Sequence, residues 1–143
     1  MFARAVGSIC FIVATMAGGA TLACSCAPVR SAEHLMERSD AIFTGVAESA
    51  RTAGPGRTVT TFRVVESFKG VAAGTRVEVS HRSGAPASCG VTFPIGGTST
   101  LTANRDDVGA MLSASSCSTW MFHPNVGSRD RLIGELRALK GHK

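Results

Sequence analysis

Hydrophobic and polar residues alternate through the middle of the chain and recur at helical spacing near both ends of its folded part. Ser31 has the chemistry of an N-cap, Glu33 follows in the first turn and Leu35-Met36 supply an apolar contact, which predicts a short helix over residues 32–38. Pro28 keeps the segment before it extended. From Asp40 the alternation sets Ile42, Thr44 and Val46 on one face of a strand and Ala41 and Phe43 on the other. Gly45 inside that strand marks a bulge or sharp bend of the kind a small closed sheet needs. Residues 52–56 (TAGPG) read as a turn, and residues 58–68 (TVTTFRVVESF) as the clearest strand, ended by Lys69-Gly70. Residues 75–81 alternate Val77 and Val79 against Arg76, Glu78 and Ser80. A small-residue loop, 82–88, leads to Cys89. Shorter strands are expected at 91–95, 98–103 and 111–114, with turns at Gly96-Gly97 and 104–107. Ser128 is a second N-cap, and Leu132, Ile133, Leu136 and Leu139 form a helical stripe that reads as packing on the sheet, ahead of a tail at 140–143. The fold class is therefore mainly β: five or six short strands in a small barrel, with a helix at each end.

The first 23 residues fall outside this pattern. Arg4 gives a positive start, residues 5–17 are apolar and residues 18–23 are small. That is a secretory signal peptide, and its apolar run is too short to span a bilayer comfortably. Thr21 and Ala23 suit a cut before Cys24, which divides the chain into a leader, 1–23, and one domain, 24–143. A cut after Ala20 would leave three residues ahead of Cys24. Lipoprotein processing is a third route, which would acylate Cys24 and tether the protein to a membrane. The expected location is secreted or periplasmic.

Composition narrows the function. The formal net charge is +5, including Arg4, and the cations are scattered without interleaved aromatics, which argues against nucleic-acid binding. Of five cysteines, Cys10 leaves with the leader, so Cys24, Cys26, Cys89 and Cys117 remain. An even count in an exported chain reads as a disulfide framework. Pairing Cys24 with Cys26 would close a cramped ring. The two other pairings both tie the amino terminus to the second half of the chain, each bridge contributing on the order of 4 kcal/mol. A four-thiolate zinc site wants two close Cys pairs, which this spacing lacks.

Candidate chemistry is sparse elsewhere. His34, His81, His123 and His142 show no ligand spacing and suit surface or helix-packing roles. No nucleophile elbow occurs, and Glu48, Glu66 and Glu78 identify no acid–base pair, so the chain does not read as an enzyme and implies no cofactor or metal of its own. Trp120-Met121-Phe122 reads as core or a helix seat. Cys24 is different. As a first residue its α-amine and carbonyl would form a five-membered chelate, and the amine, with an ordinary pKa of about 7.7–8.0, meets little proton competition near neutral pH.

The motifs CSCAP (residues 24–28), SDAIFTGV (39–46), FRVVESFKG (62–70), SCG (88–90) with Phe93 and Ile95-Gly96, and SSCS (115–118) resemble, in order, the tissue inhibitors of metalloproteinases and the wider netrin-like module. Animal members carry further disulfides and a second cysteine-rich domain. This sequence resembles the single-domain bacterial type. The resemblance implies an OB-like barrel and bridges Cys24–Cys89 and Cys26–Cys117. It implies a monomeric inhibitor whose partner is a zinc metalloproteinase. Cys24 would clasp the protease's zinc. Ser25 would enter the adjacent pocket and, being short, discriminate weakly. Cys26, Ala27 and Pro28, with Ala87 and Ser88, would line the cleft. The alternative is a non-inhibitory netrin-like module of the cell envelope, lipid-anchored at Cys24, since a fold does not fix a function.

Overall fold

The computed structural model describes residues 24–29, 31–84, 89–106 and 111–141. The leader, Ala87, Ser88 and His142 lie outside these. The elements are α1 (Ala32–Arg38), β1 (Ala41–Thr52), β2 (Arg57–Lys69), β3 (Arg76–Arg82), β4 (Thr98–Arg105), β5 (Leu112–Ala114), α2 (Ser116–Trp120) and α3 (Arg129–Gly141).

The five strands close into a barrel in the order β1-β2-β3-β5-β4, with β1 pairing β4 and every pairing antiparallel except β3 with β5. Closure leaves no free edge. It requires strong curvature, and β1 supplies it through register shifts at three places, one of them between Thr44 and Gly45. A Cβ on Gly45 would stand 3.1–3.2 Å from Phe43, Phe62 and the Arg63 carbonyl, so the bend depends on its absence. Gly70 is held more tightly still. Its φ is +76°, and a Cβ there would lie 1.9 Å from the Asp40 carbonyl oxygen.

Alternation along β1 divides the interior into two cores. Ala41, Phe43 and Ala47 face the barrel lumen with Phe62, Val64, Val79 and Leu101. Ile42, from the other face, joins Phe68 beneath the helices, where Ala32 and Leu35 of α1 meet Leu132, Ile133 and Leu136 of α3. The amphipathic stripe of α3 thus packs on the outside of the barrel, as its spacing predicts. Ser31 caps α1, its hydroxyl accepting the His34 amide at 3.3 Å. Arg137 fastens α3 to β2 with a two-pronged pair to Glu66, both bonds 2.8 Å.

Three expectations are corrected. Residues 91–95 form no strand: Phe93 turns into the barrel core and meets Phe62 and His81 edge-on, each with centroids 4.9 Å apart, while Pro94 has no N–H to offer a ladder. The segment plugs the barrel end. His81 is neither surface nor helix packing. It is 3% exposed and holds the buried Thr60 hydroxyl at 2.8 Å. The final helix continues to Gly141, past the expected start of the tail.

Candidate functional site

Two disulfides converge on the first described residues. Cys24 joins Cys89 and Cys26 joins Cys117, each with a Cα–Cα distance of 5.2 Å. The bridges lie side by side, Cys24 Sγ standing 3.9 Å from Cys117 Sγ. Between them runs an extended segment, Cys24 to Val29, with no regular secondary structure. Cys24 and Cys26 are half-buried by their bridges, whereas Ser25, Ala27 and Pro28 are exposed. Burial alternates along the segment, so it is a ridge whose Cys24 and Cys26 are stapled and whose intervening Ser25 stands free.

The floor of the ridge comes from rigid elements. β5 ends at Ala114 and passes directly into α2, which carries Cys117. The entrance to α2 is closed locally, the Ser115 amide donating to Ser118 Oγ at 3.0 Å. Ser116 contributes twice: its amide donates to the Cys89 carbonyl at 3.2 Å, and its hydroxyl lies 3.7 Å from Cys24 Sγ. Cys89 adopts φ +59°, a left-handed conformation that costs a non-glycine residue about 1–2 kcal/mol and that the bridge and the Ser116 bond hold in place. Behind the ridge a hollow of about 270 Å³ is lined by Cys26, Pro28, Val29, Met121, Leu132 and the Arg131 side chain. Its lining contains no carboxylate that would lower the local potential.

The structure brings Cys24, Ser25, Cys26, Ala27 and Pro28 together with Cys89 and Cys117. Ala87 and Ser88 fall outside the described residues. The acidic residues of the barrel are spent on surface ion pairs. Glu48 receives Arg63 at 3.1 Å and Arg76 at 2.6 Å, and Glu78 receives Arg51 at 3.1 Å. The hydrogen bond from Arg76 holds Glu48 below the usual carboxylate range despite its partial desolvation, and the Arg137 fork does the same to Glu66. Among the described residues no group of three or more His, Cys, Asp or Glu side chains is placed to hold a metal.

One feature escaped the sequence. Met121 and Phe122 do seat on the helical core, yet Trp120 between them and Cys117 is 53% exposed. A five-residue helix leaves room for one outward aromatic, and the cluster's apolar composition concealed which residue that would be.

Two disulfides are the mark of a compartment outside the reducing cytoplasm. Among the described residues no helix is long and apolar enough to cross a membrane. No family model matches the chain, and no curated protein does.

Proposed function

We propose that this chain is a secreted inhibitor of zinc metalloendopeptidases of the netrin-like, tissue-inhibitor type. After removal of residues 1–23, the α-amine and carbonyl of Cys24 chelate the protease's catalytic zinc and displace its water. Ser25 enters the neighbouring specificity pocket, and Cys26, Ala27 and Pro28 lie along the cleft.

The observation that carries this reading is the double staple. Cys24 and Cys26 are each fixed to the barrel while Ser25 between them is exposed. A segment ordered before binding loses less conformational entropy when it enters a cleft, which raises affinity without any added contact. The chemistry of chelation asks only for a deprotonated amine, available near neutral pH.

The test has two readouts. Intact mass of the exported protein defines its amino terminus, and titration against metalloproteinase catalytic domains measures inhibition. The reading expects an unmodified chain that starts at Cys24 and inhibits stoichiometrically. A chain acylated at Cys24, or starting at Thr21, removes the chelator and leaves the envelope module in its place.

A further inference from the structure

A groove of about 610 Å³ lies on the outer face of the β1–β4 pair, roofed by α2 and the segment that follows it. This is within the size range, roughly 300–1,000 Å³, of sites that take small ligands. Its chemistry is selective. One wall is a set of hydroxyls from Thr44, Thr98 and Thr100, which share a face in the β1–β4 register, and Thr44 and Thr100 bond each other at 2.8 Å. The opposite side carries the exposed ring of Trp120. The rim adds two donors. His123 accepts the Asn125 amide through Nδ1 at 3.3 Å, which puts its proton on Nε2. Arg129 lines the same rim, and its ion pair with Asp130 is long, 3.6 Å, and solvent-exposed. No carboxylate lines the groove.

Each feature narrows the ligand. Hydroxyls donate and accept equally, so they match a partner that does both. An exposed indole offers a flat apolar platform. The surplus of donors and the absence of carboxylates favour neutral or anionic groups over cations. A pyranose ring satisfies all three, with C–H groups on one face and hydroxyls around its edge.

We propose that this groove binds a saccharide of one or two rings, stacked on Trp120 and hydrogen-bonded to the β1–β4 hydroxyls, with an acidic sugar preferred through Arg129. The groove adjoins the Cys24 ridge, sharing Ser116 with its floor and Trp120 with the hollow behind it, but sugar binding there does not depend on zinc chelation. It would let the protein reside on a glycan surface.

Trp120 is the sole tryptophan of the chain, so its emission reports occupancy directly. The experiment titrates the oxidised protein with cellobiose, with cellobiouronic acid, with the disaccharide of glucosamine, and with cyclohexanol as an apolar control. The expected result is a saturable blue shift with millimolar affinity for cellobiose, tighter for the acid and weakest for the cationic disaccharide. Arg129→Gln, at the half-buried rim, should weaken the acid about fivefold and leave cellobiose unaltered. No response to any saccharide overturns the proposal. So does a response to cyclohexanol as strong as that to cellobiose, since the groove would then take any apolar ring.

Discussion

Removing one bridge at a time measures how firmly the ridge is held. Cys24–Cys89 spans 65 residues and Cys26–Cys117 spans 91, but the two loops are not independent. With Cys24–Cys89 intact, the path from Cys26 to Cys117 runs back to Cys24, across the bridge, and on from Cys89, closing only about 30 residues. The same short circuit applies to Cys24–Cys89 when its neighbour remains. Chain-entropy reasoning then gives about 3.6 kcal/mol for either bridge removed alone, and about 8 kcal/mol for both. The latter is comparable to the whole stability of an ordinary domain, about 5–15 kcal/mol. Urea unfolding of Cys26→Ala/Cys117→Ala and of Cys24→Ala/Cys89→Ala, followed by circular dichroism, should therefore show two folded proteins weakened by similar amounts. The four-alanine variant should be largely unfolded. A loss below about 1 kcal/mol for either pair would refute the reasoning, because it would mean the bridges add little to a ridge already held by packing.

Other outcomes test the frame beneath. Gly70→Ala meets both a left-handed backbone and the Asp40 carbonyl, so it should cost more than about 3 kcal/mol in denaturant unfolding or prevent folding; a neutral effect would contradict the close approach. Phe93→Ala empties the plug of the barrel and should cost about 3–5 kcal/mol by thermal unfolding. Glu66 titrates below its ordinary value because Arg137 bonds it, so its contribution is present above the unfolded value of about 4.3 and is lost as pH falls through the lowered folded value. Arg137→Leu should thus cost little at pH 7, the pair being largely surface-exposed, and that small difference should vanish in acid; a difference that grows on acidification would contradict the assignment.

Much of the barrel is legible in the sequence because β2 and β3 keep one buried face over much of their length. Phe62 and Val64 alternate with Arg63 and Val65, and Val77 and Val79 with Arg76 and Glu78, so period two survives in β2 and β3. β1 is readable for a different reason: both faces of its first half are buried, in separate cores, and Gly45 announces the bend. Residues 91–95 misled because Val91, Phe93 and Ile95 have the same alternation without a neighbouring strand to pair with, and of the three only Phe93 is fully buried while Ile95 is exposed. Periodicity suggests which side chains face a core and says nothing about backbone partners. His81 misled in the opposite way. A polar residue at a strand end looks exposed, and only the fold brings Thr60 and Phe93 to enclose it. For the ridge, cysteine spacing reduced three pairings to two and stopped there; the resemblance named the pairing that the structure shows. Trp120 and the hydroxyl groove were unreadable, since β4 residues and α2 residues become neighbours only through closure of the barrel.

The most direct test compares two proteins that differ by one residue at the amino terminus. One begins at Cys24, and the other carries a single alanine before it. Inhibition constants for both are measured against a zinc metalloproteinase catalytic domain. The extension converts the chelating amine into an amide and pushes a methyl group toward the metal, while the bridges and barrel stay as they are. The account predicts a loss of at least about a hundredfold, or 2.7 kcal/mol, on extension. Equal potency would contradict it, even if both proteins inhibited well.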